Sequence, residues 1–129
     1  MSETIPPEFW QGVELFNTGQ FYACHDTLEA LWMESTEPDK SFYQGILQIS
    51  VALYHLGNGN LKGAIILLGE GTKRLSSYPS IYCQVDVDEL LEQSVALLKA
   101  LQQNQLEQID SSSFEADTLP LPRVVRVEE

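Results

Sequence analysis

The chain has 129 residues, with nineteen acidic against seven basic side chains and a formal net charge of −12. That length suits one domain and leaves little room for two. With 43% apolar and 20% charged residues, the composition is globular and excludes general disorder.

Pro6 and Pro7 suit a first helical turn, where a missing N–H leaves nothing unpaired. Phe9, Trp10, Val13 and Phe16 follow at helical spacing. Gly19 is a left-handed stop. A second helix is expected from about Gln20 to Glu34, with Phe21, Leu28, Leu31 and Trp32 on its apolar side. Ser35 to Pro38 reads as a loop, because the residue before a proline is pushed out of the helical region. The third helix, from about Asp39 to Leu56, is apolar most of the way round and is expected at the centre of the bundle. Gly57 to Asn60 is a tight turn, and a fourth helix runs to about Leu75. Its glycines at 63, 69 and 71 lower helix propensity and point to close packing against a neighbour. Ser76 to Gln84 is expected as a loop. Asp86 and Glu89 have capping-box spacing, which opens a fifth helix to about Gln105.

Residues 1–110 are therefore expected as a single helical domain, and 111–129 as an extended, acidic, Pro-containing tail. The valines at 124, 125 and 127 can lie on the domain, lie on a partner chain or stay loose, and a homodimer is one expected use of them. Phe16 to Ala23 and Leu56 to Ala64 repeat one pattern, a turn glycine before a small residue on the next helix. This is similar to tetratricopeptide hairpins. The expected fold is all-α: a compact bundle of about five helices, built from two such antiparallel hairpins plus one helix.

Charge and hydropathy narrow the partners. A chain this acidic is repelled by phosphate backbones and anionic membrane surfaces, so neither nucleic acid nor membrane is expected. The longest apolar stretch, Ile46 to Leu56, is too short to span a bilayer and carries Gln48, Ser50 and His55. The N-terminus has no basic residue, so no secretory signal is expected. Two cysteines make no disulfide framework, which suits a cytoplasmic protein with reduced thiols.

His25, Glu29 and Trp32 share one face of the second helix, at i, i+4 and i+7. Asp26 points about 100° away around the helix and is a poor co-ligand. Gln44, Gln48 and His55 form a polar stripe on the third helix. Burying the Gln48 amide unpaired is unfavourable, so it needs a partner or a cavity. The economical arrangement faces the two stripes, so that His25, Glu29, Gln48 and His55 converge inside the bundle with Trp32 as an apolar wall. Three readings stay open. The cluster can be a structural polar network that fixes helix register. It can line a pocket for a small polar ligand. His25, Glu29 and His55 can also hold a divalent metal, zinc being the natural ion for such donors. There is no H-E-x-x-H, C-x-x-C or phosphate loop. Cys24 is rotated off the His25 face, against a Cys-His nucleophile. Asn60 suits a helix cap.

The run Phe16-x-x-Gly19-x-Phe21/Tyr22-x-x-His25-x-x-x-Glu29-x-x-Trp32 is followed by Phe42 to Gln48, Tyr54-His55 and Gly59-Asn60-x-x-Gly63-Ala64. This order resembles the bacterial and archaeal family called domain of unknown function 309, with its H-x-x-x-E-x-x-W hallmark. The resemblance covers about residues 9 to 100. It implies a small all-helical domain and supplies no function. Members of that family often have His-Glu where this chain has His25-Asp26. The motif carries over His25, Glu29, Trp32, Gln48, His55 and Asn60 as candidate ligand-binding residues.

Two function classes follow. One is a site-bearing protein whose His/Glu/Gln cluster takes a metal or small polar ligand. If that protein is an enzyme, Glu29 and a histidine suit general acid–base or hydrolytic chemistry. The other is a non-enzymatic interaction module that presents acidic surface to a basic protein partner, with the cluster structural.

Overall fold

The computed structural model describes residues 5–107 and 120–127. Among them five helices run in chain order: α1 Pro7–Asn17, α2 Phe21–Glu34, α3 Asp39–Gly57, α4 Leu61–Leu75 and α5 Val87–Glu107. A two-stranded hairpin, β1 Ile81–Tyr82 and β2 Val85–Asp86, precedes α5. The bundle is all-α, as expected, apart from this small sheet.

Two turns of one geometry make the hairpins α1–α2 and α3–α4. Gly19 and Gly59 have φ of 81° and 78°, the left-handed region that glycine enters freely. The backbone bonds around them repeat forty residues on: Gly19 N–H to Phe16 O and Gly59 N–H to Leu56 O, Gln20 N–H to Leu15 O and Asn60 N–H to His55 O. The weak sequence repeat is therefore a repeat of turn structure.

Helix α3 is the centre. It packs on both α2 and α4, and Phe42, Tyr43, Ile46, Ile49, Ala52, Leu53 and Leu56 are buried along it. Its contact with α4 is a backbone approach. A Cβ added at Gly71 would lie 2.9 Å from Gly45 O, and one at Gly45 would lie 2.7 Å from Leu75 Cδ2. Close packing thus accounts for Gly71. Gly69 has open space around it, and Gly63 faces the Asn60 side chain.

Asp86 Oδ1 accepts from Glu89 N–H at 3.0 Å, the expected cap of α5. The segment read as a loop over 76–84 is ordered differently. Cys83 and Gln84, with φ of 52° and 59°, form a two-residue turn with both central residues at positive φ, which matches hairpin twist. Tyr78 donates to Pro38 O at 2.6 Å and Tyr82 to Asp39 Oδ1 at 2.5 Å, pinning the segment to the start of α3. Burial, then the bond to Asp39, pushes the Tyr82 phenol well above its ordinary pKa.

Within the tail, residues 120–127 are extended and lie on the domain. Val124 is buried, and Asn17 bonds both of its backbone groups. Of the three valines weighed for a dimer contact, Val124 is committed to the chain's own core and Val125 remains exposed.

Candidate functional site

The first turns of α2 and the last turns of α3 lie side by side and leave a cleft between them. Its larger part, about 530 Å³, is walled by the Gly19–Ala23 turn, by Leu53, Tyr54 and Leu56 of α3, and by Leu121. A smaller part of about 160 Å³ shares Phe21, Tyr22 and Tyr54, and its other walls are His25, Val51 and His55. The lining is mostly apolar, with both histidines of the chain at one end. Tyr22 and Tyr54 stand with ring centroids 5.6 Å apart and are 63% and 39% exposed. Aromatic rings this exposed retain apolar surface that a partner group can cover.

The two histidines have different surroundings. His25 Nε2 is 3.8 Å from Glu29 Oε2, the i,i+4 pair expected from spacing. His25 Nδ1 is 3.5 Å from Asp26 Oδ1, so the neighbouring carboxylate does reach the ring after all. Its flexible side chain swings back across the angle that separates the two Cβ atoms. All three groups are partly exposed. The His55 Nδ1 lies 3.4 Å from Asn60 Nδ2. Asn60 Oδ1 already accepts from Gly63 N–H at 2.9 Å, capping α4. That fixes the amide so that its NH₂ faces His55, and the contact is favourable when His55 Nδ1 is the acceptor. Asn60 therefore both caps the helix and orients His55.

The expected four-way convergence does not form. Gln48 Nε2 donates to Glu70 Oε1 at 3.3 Å, and Gln48 Oε1 accepts from Arg74 Nε at 3.2 Å. Gln48 thus faces α4, while His55, farther along α3, lies at the end of the cleft. Trp32 lines neither part of the cleft. It is half-buried two turns farther along α2, with Lys40 Nζ 4.6 Å from its ring centroid. Among the described residues its indole Nε1 is buried without a hydrogen-bond acceptor.

Among the described residues, no group of three or more His, Cys, Asp or Glu is arranged to hold one metal ion. The expected His25–Glu29–His55 set is therefore not assembled as a zinc centre. His25 and Glu29 pair along α2, while His55 leans on Asn60 at the start of α4. The Cys24 thiol is buried and pushed up to about 12 by that burial, a Ser50 hydrogen bond opposing only part of the rise. It is not a thiolate nucleophile at neutral pH.

The residues that sequence reasoning missed are Tyr22, Tyr54 and Leu121. A tyrosine close to each histidine, three residues before His25 and one before His55, was the available signal. Leu121 had none, since its position depends on a docking contact made from the far end of the chain.

Residues 9–67 match the family model described as domain of unknown function (DUF309). The matched segment holds most of α1, all of α2 and α3 and the start of α4, including most of the cleft. A protein of Bacillus subtilis (strain 168), called uncharacterized protein YpuF, is 29% identical over 111 residues, covering 84% of this chain and 60% of that protein. An uncharacterized protein of Aquifex aeolicus (strain VF5) is 25% identical over 76 residues, 58% of this chain and 23% of its own length. The chain thus spans less than two thirds of the curated relatives it matches.

Proposed function

We propose that the protein is a small binding module. Its ligand seats a planar or aromatic group in the cleft between α2 and α3 and places a hydrogen-bonding group at His25 and His55. The observation that carries this reading is the exposed Tyr22–Tyr54 pair, 5.6 Å apart, over a cleft with both histidines in its wall. Two further features support it. Gln20 makes no side-chain cap, so the first N–H groups of α2, on residues that line the larger part of the cleft, have no side-chain acceptor from that residue. A cleft of about 530 Å³ also falls within the about 300–1,000 Å³ typical of small-molecule sites. The reading assigns no catalytic step and no metal.

The test uses indole as probe, a planar group with one N–H. Amide shifts on titration should cluster on residues 19–25 and 53–58, and Tyr54→Ala should abolish them. Shifts scattered over the surface, or unchanged by Tyr54→Ala, would defeat the reading.

A second reading takes the planar group from a protein. Met33 is 66% exposed on the same helix as Tyr22, and a partner covering both would bury apolar surface. With a net charge of −12, such a partner would be basic. No helix among the described residues is long and apolar enough to cross a membrane. A cytoplasmic location, with Cys24 and Cys83 outside any disulfide, and an absence of nucleic-acid partners belong to this same proposal.

A further inference from the structure

A second recognition surface lies between α1 and the hairpin, next to the cleft along the same tail that supplies Leu121. We infer that this groove is a peptide site that reads the backbone of an extended strand, and that the chain's own residues 123–127 are its tethered occupant.

The last residue of α1, Asn17, does the reading. Its Nδ2 donates to Val124 O at 2.9 Å, and its Oδ1 accepts from Val124 N–H at 2.9 Å. A side-chain amide thereby copies the paired donor and acceptor of a neighbouring β-strand. The opposite edge of the strand bonds β2: Asp86 N–H donates to Val125 O at 2.9 Å and Val127 N–H to Gln84 O at 2.8 Å. Both edges of the visiting backbone are engaged, independent of its side chains. This is strand addition to an exposed sheet edge.

Selectivity comes from two side chains on one face of the strand, two residues apart as the pleat requires. Val124, 3% exposed, sinks into a pit in the apolar core, and Trp10 and Val13 line the groove with it. The Arg126 guanidinium lies 4.3 Å from the Trp10 ring centroid, a cation–π contact. Gln93 Oε1 accepts from Arg123 N–H at 2.8 Å and sets the register. The ligand class is therefore an extended peptide with a branched apolar residue followed two positions later by arginine. Tethering gives the cis segment a high effective concentration. A free strand of the same chemistry enters once the tethered one is weakened.

The test uses the full chain and a fluorescein-labelled peptide of residues 120–127, followed by anisotropy. Val124→Asp puts a charge into the pit and should release the tail while leaving the groove intact. This variant should bind the peptide about a hundredfold more tightly than wild type, whose groove is filled. Adding Asn17→Ala should remove that binding, and a peptide carrying the same Val124→Asp change should not bind. A Val124→Asp chain that keeps its helical circular dichroism and binds no peptide overturns the inference. So does binding that Asn17→Ala leaves unchanged. If Val124→Asp does not fold, Val124→Ser is read by the same comparison.

Discussion

Gly71 sits directly under the carbonyl of Gly45, where a Cβ on Gly71 would come within 2.9 Å of that oxygen. Backbone cannot yield as a side chain can. Gly71→Ala should therefore destabilise the fold by about 1–3 kcal/mol, the usual range for overpacking. Gly69, two residues away on α4, has nothing within 4 Å of the same added atom. Gly69→Ala should stabilise by up to about 1 kcal/mol through helix propensity. Thermal melts of the two variants should move in opposite directions.

The buried Cys24 thiol links stability to alkaline pH. Its folded pKa of about 12 lies above the ordinary 9.0. Above pH 9 the unfolded chain loses this proton and the folded chain keeps it, so unfolding gains. The contribution is complete below pH 9 and is lost as pH rises toward 12. Urea midpoints should fall across that window, and less steeply in Cys24→Ala, with the raised Tyr78 and Tyr82 phenols supplying the remaining slope. At pH 8 the native thiol should resist iodoacetamide and react on denaturation.

Asn60 does two jobs that substitution can separate. Asn60→Ala loses the cap to Gly63 N–H and should cost about 1 kcal/mol. Asn60→Asp keeps a cap acceptor but offers His55 Nδ1 no donor. It should keep most of the stability while moving the neutral His55 tautomer toward Nδ1–H, visible in imidazole nitrogen shifts.

Ser41 holds the Glu37 carboxylate with both its hydroxyl, at 2.7 Å, and its backbone N–H, at 3.0 Å. The hydroxyl bond is the larger cause of a Glu37 pKa below the ordinary glutamate value. Carboxyl NMR titration should show this depression, and Ser41→Ala should return part of it, the backbone N–H bond remaining. The sign follows: stability from this group is present above the unfolded pKa and lost as pH falls through the folded one.

Local signals carried most of the fold. Pro7, Gly19, Gly59, Asn60 and the Asp86–Glu89 box bound the helices because capping and turn chemistry act within a few residues. The central place of α3 followed from apolar residues on nearly every side. Cys83 and Gln84 concealed the hairpin, since neither is the asparagine or glycine that marks such turns. The tail was illegible for a different reason: the Asn17–Val124 bonds span 107 positions, and no periodicity reports a contact that distant. In the site, helical spacing placed Glu29 beside His25. It could not tell which neighbour the Gln48 stripe faces, because α3 has one on each side.

The two matching turns differ in one pair of residues, and that pair constrains how the chain can vary. A Cβ on Gly63 would lie 2.6 Å from Asn60 Nδ2. The asparagine cap is thus compatible with glycine three residues on. The first turn carries Gln20 and Ala23 at the equivalent places, and Gln20 caps nothing. Giving the first turn the asparagine cap of the second takes two substitutions, Gln20→Asn and Ala23→Gly. The first alone meets the Ala23 methyl, and the second alone only loosens α2. Their energies should be strongly non-additive. Such epistasis bars single-step exchange between the duplicated turns, and it keeps the leading N–H groups of α2 uncapped beside the cleft.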